Sequence, residues 1–465
     1  MPNLGPPGSL ADGGEHHSGG NMSDSVATTA DDYSHDEEFL GHPKGLYVCF
    51  TTELWERFSF YGMKYLLLLY LTKYHLFTDE AGFDVLGSYA GLVYALPLIG
   101  GMIADRFLGM RKSVLFGGIL LSLGHILMAV EGHQAVNYAA GTILSNDLTL
   151  ANGEVLLAGT TLSEAVVFRD TEALKVFYMA LALIVMGVGY LKPNISTIVG
   201  KLYSIDDPRR DSGFTIFYMG INIGSVAATL LCGWLGETFG WKYGFGAAGI
   251  GMIIGLFTFM YGQKHLMGHA EPSEPEKLKK PFLGPINVEW SIYLLSLPVL
   301  GVLWLLVQHE PVVLLTQNVF LVIAIVGLIL YSMVHTKQDQ NNTVAYTIAG
   351  IAVVAALYAI AVNLHFIPGS EDLAENVLYG SIILVVGFII YGFMTHNSPE
   401  FGRTVVLMIL IISTIVFWAL FEQSAGSMTL YADRVVDRSI GDTTFTAAQF
   451  GSLNAGFIML LAIPF

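Results

Sequence analysis

Apolar stretches about as long as a bilayer-spanning helix, roughly 20 residues, recur along the whole chain between polar connections. Hydropathy predicts helices near residues 46–74, 86–107, 113–131, 174–191, 213–235, 243–262, 287–307, 318–335, 344–363, 376–395, 404–424 and 449–465. Two longer polar stretches, 132–172 and 263–285, interrupt the series. This pattern is typical of an all-α polytopic membrane protein.

The first apolar segment differs from the others because it contains Glu53, Glu56, Arg57 and Lys64. Each charge at the centre of a membrane helix costs about 2.5–3.5 kcal/mol on the insertion scale. At 100° per residue, these four side chains and Tyr61 fall within an arc of roughly 140° on one helix face. Such a stripe is expected to face a water-filled cavity or charged partners, which favours ion-coupled transport.

Composition supports a membrane protein, since 53% of the residues are hydrophobic and only 13% are charged. The expected surroundings are therefore a lipid bilayer, and no nucleic-acid partner is expected. The formal charge of −16 is concentrated at the start of the chain, because residues 1–42 contain eight acids and no Lys or Arg. We predict that this tail is disordered. Cys49 and Cys232 lie in apolar segments and are predicted to be buried free thiols.

The distribution of basic residues predicts the orientation of the chain. Alternate connections contain Lys and Arg, namely Arg106, Arg111, Lys112, Lys201, Arg209, Arg210 and the lysines of residues 263–285, whereas the opposite connections are mostly acidic. We therefore expect a multi-pass protein of the inner (plasma) membrane with a cytoplasmic N-terminus.

The connection between the second and third predicted helices, GGMIADRFLGMRK, runs from Gly100 to Lys112. It resembles the loop signature of the major facilitator superfamily. Glycines at its start permit close helix approach. Asp105 and Arg106 are expected to pair with helix ends and to clamp a cytoplasmic gate. The alternative is an ordinary positive-inside turn.

Four segments resemble signatures of one narrower family. They are ELWERFSFYG from Glu53, GYLKPNISTIVG from Gly189, FYMGINIGS from Phe217 and FWALFEQ from Phe417. In this order they resemble the proton-coupled oligopeptide transporter family (POT, or PTR2) of the major facilitator superfamily. The resemblance implies a two-bundle fold and transport by alternating access.

The resemblance also implies roles for individual residues. Proton coupling is assigned to Glu53, Glu56, Arg57 and Lys192. Substrate binding is assigned to Arg57, Tyr61, Lys64, Tyr94, Lys192, Asn222, Trp418 and Glu422. Gating is assigned to Lys64 and Glu422, together with Asp105 and Arg106. Peptide carboxylates are expected at Arg57 and Lys192, and peptide ammonium groups at Glu422. The proton is the coupling ion, and no other cofactor and no metal are expected.

The position of Lys192 also favours a role in proton coupling on physical grounds. It precedes Pro193 in an apolar helix, where proline removes a backbone hydrogen bond and favours local opening. A lysine in such a position needs a carboxylate partner, and Glu53 and Glu56 are the candidates. The alternative is a fixed ion-pair network that only holds the helices together.

The chain departs from the common family pattern at several positions. Phe60 stands where many relatives have tyrosine, so one hydroxyl contact is lost. Lys64 stands where many have arginine, and a point charge should form a weaker gate with Glu422 than a bidentate fork. His125 of the third helix is expected to be a hydrogen-bonded core residue rather than a proton carrier.

The position of FWALFEQ determines the predicted domain organisation. If it belongs to the seventh core helix, residues 286–396 contain extra membrane helices inserted between the two bundles. The predicted organisation is then a tail (1–42), a six-helix N-terminal bundle (43–262), a cytoplasmic linker (263–285), the insertion (286–396) and the start of the C-terminal bundle (397–465). We expect that bundle to be incomplete in this chain.

The predicted function is proton-coupled symport of di- and tripeptides into the cell. Alternatives are a transporter of nitrate or another small organic anion on the same fold, and a peptide receptor that does not transport. An enzyme is not expected, because we find no HExxH, nucleophile elbow or paired aspartates in the spans. The sequence leaves the oligomeric state open.

Overall fold

The computed structural model describes residues 38–150, 153–272, 274–313 and 399–461, with isolated positions between 316 and 394. The helices predicted near 318–335, 344–363 and 376–395 therefore lie outside the continuously described parts of the chain. Residues 1–37 of the predicted tail also lie outside them.

Helices dominate the described residues. The first six are α1 Lys44–Leu69, α2 Asp79–Ile103, α3 Met110–Met128, α4 Thr171–Lys201, α5 Arg210–Phe239 and α6 Trp241–Gly262. They are followed by α7 Pro275–Lys279, α8 Val288–Val307, α9 Pro399–Glu422, α10 Ser427–Arg434 and α11 Ser452–Leu461. Short π-helical turns at Tyr70–Tyr74 and Ala104–Leu108 extend α1 and α2.

Within the described residues, six helical segments are long and apolar enough to cross a membrane. They are Asp79–Leu108, Met110–Met128, Thr171–Lys201, Arg210–Phe239, Trp241–Leu266 and Val288–Val307. The second span begins earlier than hydropathy predicted because Thr78 caps it: the Thr78 side chain accepts a hydrogen bond from the Ala81 amide.

Helix α4 is continuous through Pro193 to Lys201, so the predicted local opening at this proline is wrong. The lost bond would have used the Gly189 carbonyl, and Gly100 of α2 packs directly on that carbonyl, where any larger side chain would clash. The side-chain amide of Asn194 donates to the Tyr190 carbonyl at 2.7 Å. The helix thus continues past the proline, as is common in membrane helices.

The helices pack around α1 and α4. Helix α1 lies against α5 and α6, and α4 lies against α2, α3 and α8, while α11 packs on α5. At the crossing of α1 and α5, Gly224 approaches the Leu54 carbonyl so closely that no side chain would fit. Close approach of this kind encloses the face of α1 that bears the charges.

The described residues also form five short antiparallel strand pairs before or between the helices. The first pair joins Glu38–Phe39 to His42–Pro43 through a turn with positive φ at Leu40 and Gly41. Arg209 binds this turn through Glu38 Oε1 at 2.9 Å and the Gly41 carbonyl at 3.1 Å. The expected disorder is therefore wrong for residues 38–42.

The stretch 132–172 had no structure assigned from the sequence, and its residues 136–150 and 153–168 form a narrow β ladder between α3 and α4. Val136–Tyr138 pairs with Val166–Phe168 near the base, and Leu148–Thr149 pairs with Val155–Leu156 near the tip. At the base, the Arg169 guanidinium donates to the carbonyls of His75 and Leu76 at 2.7 and 2.8 Å.

The alternating direction of the helices gives the protein two ends. We call the side formed by residues 75–78, 129–170 and 435–447 the ladder face. The opposite side, formed by residues 104–109, 202–209 and 263–287, is the linker face. The remaining strand pairs, Pro281–Leu283 with Ile286–Asn287 and Ser439–Ile440 with Thr443–Thr444, lie on the linker face and the ladder face respectively.

Candidate substrate and proton site

A charged cluster on α1 lies at the centre of the helices. The Arg57 Nε atom is 2.9 Å from Glu53 Oε1 and 2.6 Å from Glu56 Oε2. All three residues are at most 3% exposed. We call these residues the α1 cluster. It combines two carboxylates with one guanidinium, so one negative charge has no counter-charge within the cluster.

Several polar atoms of the α1 cluster have no hydrogen-bond partner among the described residues. They include Glu53 Oε2, Glu56 Oε1 and Arg57 Nη2. The buried hydroxyls of Thr52 and Tyr89 also have no hydrogen-bond partner among the described residues. Buried carboxylates normally have their full set of partners. A proton on one carboxylate would remove the surplus charge, which gives the cluster the chemistry of a proton acceptor.

Lys192 approaches the cluster from α4 without forming the expected ion pair. Its Nζ lies 5.5 Å from the ring centroid of Tyr94, a distance typical of a cation–π contact. It is within electrostatic range of Glu53 and Glu56, but no ion pair between described residues includes it. The direct partner that the sequence predicted is absent because both acids point to Arg57.

Glu422, near the end of α9, meets the first two helices. Lys64 Nζ donates to Glu422 Oε2 at 2.7 Å, and the Tyr94 hydroxyl donates to Glu422 Oε1 at 2.9 Å. Lys64 is 3% exposed. The residues predicted to form a gate are thus brought together, and Tyr94 lies between the Lys192 ammonium and the Glu422 carboxylate.

Phe60, the departure from the family pattern, has a contact of its own. Its ring centroid lies 5.1 Å from the Arg57 guanidinium carbon and 5.6 Å from Lys64 Nζ. The aromatic face therefore contacts the cation of the α1 cluster and the cation of the gate. Phe60 lacks the hydroxyl of the family's tyrosine, but its ring makes two cation–π contacts that were not predicted from the sequence.

The remaining predicted substrate residues surround this arrangement. The Trp418 ring lies 5.6 Å from the Tyr94 ring, and the half-buried Tyr61 ring lies 5.2 Å from that of Phe60. Asn222 is buried and donates its side-chain amide to the Tyr218 carbonyl of its own helix at 3.0 Å. That bond leaves the Asn222 side-chain oxygen for other partners.

The predicted clamp at Asp105 and Arg106 is not formed by these two residues. Both are exposed in the turn after α2, and neither belongs to an ion pair of the described residues. The next basic pair makes the contacts instead: Arg111 pairs with Glu271 of the linker, and Lys112 Nζ lies 2.6 Å from Glu289 Oε2 of α8.

Other titratable groups stay outside the site. His125 is fully buried, but neither ring nitrogen has a hydrogen-bond partner among the described residues. The expectation of a hydrogen-bonded core histidine is therefore wrong. Cys49 and Cys232 are buried free thiols, as predicted. In the described part of the chain, no group of three or more His, Cys, Asp or Glu is arranged to hold a metal ion.

The chain is similar in sequence to known transporters. The sequence profile of the POT family matches residues 111–280 and 317–465. The chain is 31% identical over 436 residues to the peptide transporter YePEPT of Yersinia enterocolitica, covering 92% of this chain and 67% of the relative. It is 31% identical over 453 residues to the di-/tripeptide transporter of Lactococcus lactis, covering 92% and 69%.

The chain belongs to the POT family. A crystal structure of a peptide transporter of that family in complex with sulfate is similar, with a TM-score of 0.55 and 26% identity over 91% of this chain and 68% of the other. The expected fold class, an all-α membrane protein of the major facilitator superfamily, is thereby confirmed, and the protein is a membrane-embedded transporter. The chain spans about two thirds of the length of these relatives.

This POT chain also has a set of ion pairs on the ladder face that its sequence did not predict. They are Lys73–Asp433 at 2.6 Å, Arg434–Asp79 at 2.6 Å, Lys73–Glu237 at 3.7 Å and Arg438–Glu237 at 3.9 Å. We call these the ladder-face pairs. Three of them join the turn after α1, α2 and α5 to the segment that follows α9, and Lys73–Glu237 joins the turn after α1 to α5. Hydropathy cannot find them, because the partners lie far apart in the sequence.

Proposed function

We propose that this protein is a proton-coupled symporter that moves di- and tripeptides into the cell by alternating access. One observation carries the proposal. Glu422 of α9 is held by Lys64 of α1 and Tyr94 of α2, next to a buried cluster with one unbalanced negative charge. The relatives named as a peptide transporter and a di-/tripeptide transporter support the substrate class.

The charges suit a zwitterionic peptide. Lys192 has no carboxylate within ion-pairing distance among the described residues, so its ammonium is available to a peptide carboxylate, with Arg57 beside it. The peptide ammonium would take the place of Lys64 at Glu422. The two ends of a short peptide are thus bound by charge, which leaves its side chains weakly selected.

Proton coupling follows from the surplus carboxylate of the α1 cluster. Protonation of Glu53 or Glu56 would leave one carboxylate for Arg57 and would weaken the attraction between Lys192 and the cluster. Lys192 would then be freer to bind the peptide carboxylate. Release of the proton would restore the attraction and favour release of the peptide.

Alternating access would act through the contacts between the segments. The Lys64–Glu422 pair and the ladder-face pairs would together close the ladder face. We propose that the ladder face is extracellular and that the linker face, with the N-terminus, is cytoplasmic, because Lys and Arg are concentrated in the connections on that side. A peptide ammonium at Glu422 would compete with Lys64 for the carboxylate. Peptide binding would thereby change whether the Lys64–Glu422 pair holds the ladder face closed.

The proposal is tested by uptake into liposomes that contain the purified protein. We expect a labelled dipeptide to accumulate when the outside is more acidic. Lys192→Ala should abolish this pH-driven accumulation. Lys175→Ala, which removes an exposed lysine of the same helix, should leave accumulation unchanged.

Full pH-driven uptake by Lys192→Ala would refute the coupling role of this lysine. Accumulation of nitrate without any response to peptides would favour the small-anion alternative. Saturable peptide binding without uptake under any gradient would favour a receptor.

A further inference from the structure

An apolar cavity lies on the other side of α2 and α4 from the charged site. Its volume is about 170 Å³. Its walls include Ile99 and Ile103 of α2, Tyr190 of α4, and Leu295, Ser296 and Val299 of α8. On α2, Ile99 and Ile103 are 140° and 180° around the helix from Tyr94 at 100° per residue. The cavity is therefore separate from the site that Tyr94 faces.

The polar atoms of the cavity wall are already used. The Tyr190 and Ser296 hydroxyls are 2.9 Å apart, and Ser296 also donates to the Ile292 carbonyl at 2.9 Å. A buried water needs two to four polar partners, and a peptide would leave its backbone groups unpaired here. The cavity therefore suits hydrocarbon rather than water or the transported peptide.

The wall of the cavity is partly exposed on a surface formed by candidate membrane spans. Ile99 and Val299 in its wall are 49% and 46% exposed, and α2, α4 and α8 are all candidate membrane spans. A protein cavity of about 150 Å³ lined by apolar side chains binds benzene. The space here is thus large enough for a section of a lipid acyl chain, and the hydrocarbon phase lies at its opening.

Basic side chains lie at the linker-face end of the cavity. Arg106 follows Ile103 by three residues, is exposed, and has no ion pair among the described residues. Across the opening, Lys112 pairs with Glu289, which precedes Ile292 by three residues on α8. Although the carboxylate of Asp105 is its neighbour in the chain, the Arg106 guanidinium forms no ion pair among the described residues, so it can bind the phosphate of an anionic lipid.

We propose that this cavity binds one anionic phospholipid, with an acyl chain between α2, α4 and α8 and its phosphate at Arg106. The chain would contact the back of α4 at Tyr190, two residues before Lys192. The site is independent of the transported substrate, because it shares no residue with the proposed peptide site.

The assignment is tested with phosphatidylglycerol that has a diazirine in one acyl chain, added to the protein in phosphatidylcholine vesicles. After illumination, mass spectrometry should find adducts concentrated on the cavity segments of α2 and α8. Leu295→Trp, which places a large ring in the cavity, should lower these adducts roughly fivefold. Leu294→Trp changes the adjacent leucine, which is not part of the cavity wall, and should leave them unchanged.

The head-group contact is tested separately. Arg106→Gln should lower labelling by the phosphatidylglycerol probe roughly fivefold, since a basic residue near the membrane surface is worth about 1 kcal/mol. Lys264→Gln removes another exposed cation of the linker face and serves as the control. Val299→Phe provides a second cavity-filling variant if Leu295→Trp does not fold.

The lipid site would be overturned if Leu295→Trp and Leu294→Trp were labelled equally in the cavity segments and Val299→Phe also had no effect. The adducts would then come only from lipid that surrounds the protein. Unchanged labelling in Arg106→Gln, or equal labelling by a phosphatidylcholine probe with the same diazirine, would overturn the assignment of an anionic lipid.

Discussion

The α1 cluster and the ladder-face pairs are both made of carboxylates and cations, but they join different parts of the chain. In the α1 cluster, Arg57 binds two acids of its own helix, and all three residues are buried. In the ladder-face pairs, partners come from separate segments, and the side chains of Arg434 and Asp79 are 48% and 46% exposed. The first arrangement can persist while helices move, whereas the second must break when the segments separate.

This difference suggests that the α1 cluster and the ladder-face pairs have different roles. A buried charge without its partner is costly, so the α1 cluster is suited to holding a charge that a proton can neutralise. An exposed pair contributes little energy, so the Arg434–Asp79 pair can open and close at small cost. Glu237 and Asp433 of the other ladder-face pairs are only 8% and 10% exposed. The Lys64–Glu422 pair is intermediate, because its lysine is buried and its carboxylate is 24% exposed.

The largest effect is expected from Arg57→Met. The substitution leaves two carboxylates buried without a cation, and breaking a buried pair typically costs about 3–5 kcal/mol. The apparent melting temperature of the purified protein should fall strongly. Arg434→Met, which removes an arginine from an exposed pair, should change it little. Equal shifts for the two variants would contradict the comparison.

A smaller effect is expected from Glu422→Gln, and it should depend on the ligand. Loss of the carboxylate should weaken binding of a dipeptide with a free amine roughly tenfold, as expected for a hydrogen bond to a charged group. Binding of the N-acetylated dipeptide should change less. Ligand-dependent thermal stabilisation measures both affinities.

Glu289→Gln is a matched control for this variant, because the Glu289 side chain is also 24% exposed and pairs with a lysine. It should leave both affinities unchanged. An equal loss for free and acetylated peptides in Glu422→Gln would remove Glu422 from amine recognition.

A modest effect is expected when Arg434 is replaced by Asp opposite Asp79. Like charges should open the ladder face more often, up to about fivefold, since exposed pairs contribute 0.2–1 kcal/mol. The measurement is the modification rate, by a water-soluble thiol reagent, of a cysteine introduced by Ala425→Cys at a position that is 1% exposed. Adding Asp79→Arg should restore the slow rate, and failure to do so would argue against a direct role of this pair.

The smallest effect concerns His75, which is buried although it lies on the ladder face. Burial, with a smaller contribution from the nearby Arg169 charge, lowers the pKa of His75 from 6.5 to about 4. The unfolded chain then binds more protons than the folded one between these values. The resulting stability is present above pH 6.5 and is lost as the pH falls toward 4.

His75→Phe should flatten the decline of the melting temperature over this pH range. His133→Phe, which changes an exposed histidine of the same face, should not. If the melting temperature declined equally steeply in the unsubstituted protein, His75→Phe and His133→Phe, burial of His75 would not determine the decline.

The sequence was sufficient to predict the membrane helices that the described residues contain and the charged face of α1. Helical periodicity placed Glu53, Glu56, Arg57 and Lys64 on one face, and their cost in a membrane implied that the face is enclosed. The predicted gate partners, Lys64 and Glu422, are in contact. The pairing of Lys192 was wrong, because the choice between an acid and the Tyr94 ring depends on how α2 and α4 are rotated.

Local periodicity and hydrophobicity therefore determined where the chain forms membrane helices and which of their faces bears charge, since both follow from backbone geometry and the cost of desolvation. Only the tertiary structure decided the partners. Lys64 meets a carboxylate 358 residues away, Arg111 and Lys112 replace Asp105 and Arg106 in the linker contacts, and a cavity remains between α2, α4 and α8. These outcomes depend on helix packing, because contacts between distant segments require shapes that no single segment contains.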